Sequence, residues 1–135
     1  MEKWVMKDPE YGDHIRVKIG NIYHHAIYIG NDEVIQFGLP FDYTKPAKDV
    51  FVIQSPIVDF LAGGFLEVKV FNHHEKKQKK TPEESVATAK SLIGTGGYDI
   101  LKNNCEHFVN YCIFGIKISK QVEKIQEEVK NKLGK

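Results

Sequence analysis

From His14 to Ile19 the chain alternates, with Ile15, Val17 and Ile19 set against His14, Arg16 and Lys18. A period of two marks a half-buried strand. Ile22–Ile29 and Glu33–Phe37 are β-branched and aromatic runs on either side of Gly30-Asn31-Asp32, which predicts a hairpin. Residues 39–49 read as loop, broken by Pro40 and Pro46. Val50–Ile53 predicts a short strand, and Ser55-Pro56 a cap for a helical turn running to Leu61. Gly63-Gly64 ends that turn, and Leu66–Phe71 predicts another strand. The residues before Gly12-Asp13 read as a polar lead-in.

The second half changes period. Thr81-Pro82-Glu83-Glu84 combines an N-cap threonine, a proline at the first helical position and a glutamate three residues after the cap. That helix should end near Gly94. A second helix, rich in aromatic and apolar residues, should start near Asn103-Asn104 and run to about Phe114. A third, Ser119 to Leu133, carries Val122, Ile125 and Val129 as a narrow apolar stripe. Strands first and helices after predict an α+β fold: an antiparallel sheet packed against helices, without β-α-β alternation.

Length and charge narrow the picture. At 135 residues the chain predicts a single domain, its core at about 12–118 and its amphipathic helix at about 119–133. A chain of this size buries roughly 68% of the surface it exposes when unfolded, enough for a core without disulfide or metal staples. Charged residues make up 27% and hydrophobic residues 41%, which argues against disorder. Lys plus Arg is 19 and Asp plus Glu 18, a net charge of +1, and Arg16 is the single arginine. Neither the balance nor the lack of guanidinium forks suits a nucleic-acid binder. The start of the chain has acids where a signal peptide needs an apolar stretch, and no run approaches the ~20 apolar residues of a spanning helix. Cys105 and Cys112 lie seven apart on one predicted helix, ~10 Å along its axis and too far apart for a disulfide. Reduced thiols without an export signal point to the cytoplasm.

One cysteine falls where chemistry is easiest. An ordinary thiol is only a few per cent thiolate at neutral pH and needs an electropositive setting to act as a nucleophile. Cys105, in Asn103-Asn104-Cys105-Glu106-His107-Phe108, lies at a predicted helix start, where free N–H groups favour an anion. A base could come from His24 or His25, which point to opposite faces of their strand, so at most one can meet Cys105.

Gly12-Asp13-His14-Ile15, His24-His25-Ala26-Ile27-Tyr28-Ile29-Gly30 and Asn104-Cys105-Glu106-His107-Phe108, in that order, resemble the lecithin–retinol acyltransferase-like family. That family belongs with the NlpC-type cysteine hydrolases, a circularly permuted branch of the papain-like fold. The resemblance runs from about Gly12 to Val122. It implies Cys105 as nucleophile at a helix N-terminus, His24 as base and a third polar residue at position 36 to orient the imidazole. Histidine is expected there; this chain has Gln36. A neutral amide can still hold the ring, as in papain-like enzymes, but it cannot carry charge.

Strand parity tests this set. A two-residue turn at Asn31-Asp32, or a four-residue loop, would put Gln36 and His24 on opposite faces; a three-residue loop or a bulge puts them together. His24, Ala26, Tyr28, Val34, Gln36 and Gly38 would then line the face toward the Cys105 helix. The implied reaction is acyl transfer or hydrolysis of an ester or amide through an acyl-thioester on Cys105, with the Cys105 backbone N–H as oxyanion donor and no cofactor. Relatives of this kind act on phospholipid acyl chains, so lipid substrates follow from the resemblance alone. The alternatives are an amidase or peptidase of the wider superfamily, and a degenerate binding module, which Gln36 motivates.

Other features read as structural. Cys112 is a core thiol and His107 a hydrogen-bonding partner. The His24-His25 and His73-His74 pairs lack zinc-ligand spacing, so no metal is expected. Gly94-Thr95-Gly96-Gly97 lacks the ending of a phosphate loop. The run Glu75–Lys80 reads as a solvated loop; its functional reading is peripheral contact with an anionic membrane through Lys76, Lys77, Lys79 and Lys80.

Overall fold

A computed structural model describes residues 2–133. Its strands are β1 (Lys3–Val5), β2 (His14–Ile19), β3 (Ile22–Tyr28), β4 (Glu33–Phe37), β5 (Val52–Pro56) and β6 (Leu66–Val70). They form one antiparallel sheet in the order β1-β6-β2-β3-β4-β5. Helices are α1 (Ile57–Leu61), α2 (His73–Gln78), α3 (Pro82–Ser91), α4 (Cys105–Phe114) and α5 (Lys120–Leu133). The α+β expectation holds. Residues 39–49 are loop with two short 3-10 turns, Asp42–Thr44 and Ala47–Asp49.

Alternation along the strands gives the sheet two apolar faces. Ile15, Val17, Ala26, Val34 and Val68 pack with Phe60 of α1. On the other face Ile27, Ile35 and Phe37 pack with Val86 and Ala89 of α3 and with Phe108, Val109 and Ile113 of α4. Both helix starts follow their sequence signals. Thr81 and Glu84 exchange hydrogen bonds at the head of α3, and Asn104 caps α4.

Four expectations need correction. The lead-in contains β1, whose three residues are too few to show a period; it pairs with β6 and sets Trp4 edge-on to His14 at 5.0 Å. The lysine run is not a loop: most of it lies in α2, begun by a capping box between Asn72 and Glu75. Lys80 N–H bonds to Ile113 O, which places the run at the C-terminal end of α4. Ser55 caps nothing, because β5 runs on through it and Pro56 stands at the head of α1 without a side-chain cap. Finally, the face carrying His24, Ala26, Val34 and Gln36 lies under α1; α4 covers the opposite face.

The hairpin between β3 and β4 has the odd loop that parity requires. Ile29 N–H bonds to Glu33 O and Ala26 lies opposite Gln36, so Gly30, Asn31 and Asp32 form a three-residue loop. All three have positive φ, 87°, 52° and 58°, a conformation that Gly, Asn and Asp tolerate best. His24 and Gln36 therefore share a face.

Candidate active site

On that shared face a hydrogen-bonded chain crosses three strands diagonally. His24 Nε2 lies 2.8 Å from Gln36 Oε1, and Gln36 Nε2 donates to Ser55 Oγ at 2.6 Å. Ser55 Oγ in turn donates to Pro56 O at 3.3 Å. A carbonyl can only accept, so the hydroxyl turned onto Pro56 leaves its oxygen for the Gln36 amide. Gln36 then presents its own oxygen to His24, an arrangement that favours the imidazole proton on Nε2. Gln36 is 0% exposed and His24 6%. Burial pulls the His24 pKa below its ordinary value, only partly offset by the Gln36 bond, the Gly38 carbonyl and the Asp42 carboxylate. The ring rests on Phe60, centroids 5.4 Å apart.

Cys105 approaches from the other side of the sheet. Asn104 Oδ1 accepts from the N–H groups of Glu106 (3.0 Å) and His107 (3.1 Å), and His107 Nδ1 accepts from Asn104 N–H at 3.0 Å. Histidine thus takes the glutamate's part in a capping box, a structural role as expected. The cap satisfies the second and third N–H groups of α4; the first, that of Cys105, lies against its own sulfur.

The two sides meet at a notch. β3 and β4 part at Ala26–Gln36, and Gly38 at φ 82° turns the chain away, its position too tight for a Cβ, which would meet Val50 at 2.6 Å. This leaves an open edge along residues 22–25 of β3. Cys105 Sγ fills part of it, 3.9 Å from Tyr23 O and against the His25 N–H. His24 and Cys105 both line a cleft at this notch, with Phe37, Leu39, Tyr43 and Tyr98. The cleft is about 20 Å³, hardly more than one water requires. Burial pushes the Cys105 thiol up to about 11, against the pull of the surrounding N–H groups. Burial thus favours the uncharged form of both groups and works against the activated thiolate that the helix start suggests.

His25 is engaged elsewhere: its Nδ1 lies 2.8 Å from His14 Nε2, on the face with Trp4 and Arg16. Cys112 is fully buried in the core and pushed up to about 12. Among the described residues no cluster of three or more His, Cys, Asp or Glu could hold a metal ion, and no helix is long and apolar enough to cross a membrane. Sequence reasoning missed Ser55, Asp42 and Tyr98. None of the three carries a local signal: Ser55 follows another polar residue, Gln54, in β5, and only strand register sets it beside Gln36.

A family model described as lecithin retinol acyltransferase matches residues 7–118. The chain is 31% identical to lecithin retinol acyltransferase of Bos taurus and 32% to that of Homo sapiens, in each case over 88% of this chain and 60% of the relative. It is 32% identical to phospholipase A and acyltransferase 4 of Homo sapiens, over 91% of this chain and 80% of the relative. The chain thus spans about 60% of the length of the lecithin retinol acyltransferases it matches.

Proposed function

The chain belongs to the lecithin retinol acyltransferase family, and from that premise we propose that it is a cysteine-dependent acyltransferase or hydrolase acting on lipid acyl esters. One observation carries the mechanism: the bonded chain from His24 through Gln36 and Ser55 to Pro56 orients the His24 ring at the cleft that it lines together with Cys105, and on our reading Nδ1 is the base. Nδ1 takes the thiol proton as Sγ attacks the ester carbonyl. The Cys105 N–H faces the developing oxyanion. Collapse expels the alcohol, which takes the proton back from His24 and leaves an acyl-thioester on Cys105. Water or an acceptor hydroxyl or amine then attacks the thioester with His24 as base; the C–S bond breaks, the acyl product leaves and His24 returns the proton to the Cys105 sulfur. Because the thiol starts protonated, proton transfer accompanies attack. The narrow cleft also requires residues 39–43 to move before an acyl chain can enter. We read residues 12–118 as the core of a single cytoplasmic domain, with the lysines around α2 as its peripheral membrane contact. That contact lies roughly 15 Å from Cys105, the length of α4.

Intact-mass analysis after exposure to a phospholipid or an activated short-chain ester tests this. The wild type should carry one acyl group on Cys105, Cys105→Ala none, and His24→Ala should acylate far more slowly. Absence of both adduct and turnover across thioester, phospholipid and γ-glutamyl amide substrates overturns the proposal; turnover of the amide alone makes the protein an amidase. The high thiol pKa and the closed cleft favour one second reading, a binding module without turnover. On that reading Cys105 alkylates no faster than Cys112, and His24→Ala changes nothing.

A further inference from the structure

The open edge of β3 poses a bonding problem. Tyr23 N–H and C=O point to the side that β4 has left, where a buried peptide group without a partner would be costly. The partner is a side chain. Gln121, in the first turn of α5, accepts from Tyr23 N–H at 2.8 Å and donates to Tyr23 O at 3.1 Å. Its amide stands in for the missing peptide of β4.

Gln121 is itself tied to the nucleophile. Glu106, the residue after Cys105 and 1% exposed, accepts from Gln121 N–H at 3.1 Å and from Ser119 Oγ at 2.8 Å. Ser119 Oγ also caps Val122 N–H at 3.3 Å, so the start of α5 is locked to the start of α4. Tyr23 O, which Gln121 holds, is the oxygen against which Cys105 Sγ rests. A closed circuit results, from Cys105 to Glu106, Gln121, Tyr23 and back to the sulfur, with His24 as the next residue along β3.

We infer that Gln121 is a positioning residue for the reaction proposed above: it holds the open β3 edge at Tyr23, against which the Cys105 sulfur rests one residue from His24. The inference rests on that reading, yet part of its test does not. If Gln121 merely docked α5, any change loosening α5 would act alike. Val122, buried at 6% exposure in the same turn, supplies that comparison.

Gln121→Ala and Val122→Ala are compared in the full chain for kcat, KM and the pH midpoint of Cys105 alkylation by iodoacetamide. Gln121→Ala should lower kcat about tenfold with KM unchanged, and move the alkylation midpoint down as water reaches the sulfur; Val122→Ala should lower the melting temperature and move neither. Equal kcat and alkylation midpoints in the two variants overturn the inference. If the wild type turns over no ester at all, the proposed function fails by itself. The alkylation midpoint still decides the role of Gln121, because it needs no substrate.

Discussion

Acidification from pH 7.5 to 5.5 should lower folding stability, chiefly through three buried histidines, with the partly buried His107 acting in the same direction. His14, His24 and His25 are 0, 6 and 1% exposed. Burial holds each below the ordinary 6.5, His14 and His25 furthest, since they face each other and the cations Arg16 and Lys69. A depressed histidine is neutral in the fold at a pH where the unfolded chain already binds its proton. Its contribution is therefore complete above 6.5 and is lost as pH falls from there toward the folded value. One proton corresponds to ~1.36 kcal/mol per pH unit, so three give at most ~4 kcal/mol per unit. Against a typical total of ~5–15 kcal/mol, a loss of that size is a large fraction of the stability. Asp13 and Glu106, raised by burial, work in the opposite direction and soften the slope. Urea unfolding followed by far-UV circular dichroism at half-unit pH steps measures it. The double variant His14→Leu/His25→Leu should keep about a third of the slope. A flat stability between pH 7 and 5.5, or an unchanged slope in the double variant, would refute neutral burial of the pair.

Substitutions at Gln36 and Asn104 test the cleft and the helix that carries its cysteine. Gln36→Ala deletes a neutral hydrogen bond worth ~0.5–1.5 kcal/mol and should lower turnover roughly three- to twelvefold; because that bond favours the charged ring, the acid limb of the pH–rate profile should also move to lower pH. Gln36→His should retain activity. Asn104→Ala should cost ~1 kcal/mol and a few degrees of melting temperature through loss of the α4 cap. Asn104→Asp should keep the cap but slow Cys105 alkylation, since a carboxylate beside the sulfur opposes the thiolate; alkylation at the wild-type rate would contradict that.

Much of this was legible in residue order, and what was not has physical reasons. The capping residues of α3 and α4 announce themselves within four positions, because a cap is a local bond. Parity alone ties the His24–Gln36 pairing to the length of one hairpin loop, and the 2.8 Å bond meets that condition. Parity cannot say which helix covers which face, and there the expectation failed: Phe60, not Cys105, lies over His24 on its own face. Ser55 and Gln121 depend on strand register and on a contact 98 residues away in sequence, neither of which has a local signature. α2 did have one, Asn72 three residues before Glu75, but the lysines around it show no apolar period.

The loop at Gly30-Asn31-Asp32 gives the hairpin a different kind of importance. Surface loops are where insertions and deletions are ordinarily absorbed. Here one added or lost residue, in a segment that touches neither His24 nor Cys105, would rotate all of β4 by half a turn and carry Gln36 to the opposite side of the sheet. The count of residues in this loop is therefore constrained as well as their kind, and a single-codon indel there is equivalent to deleting the Gln36 side chain. Among descendants of this sequence, changes of loop length should survive only in pairs.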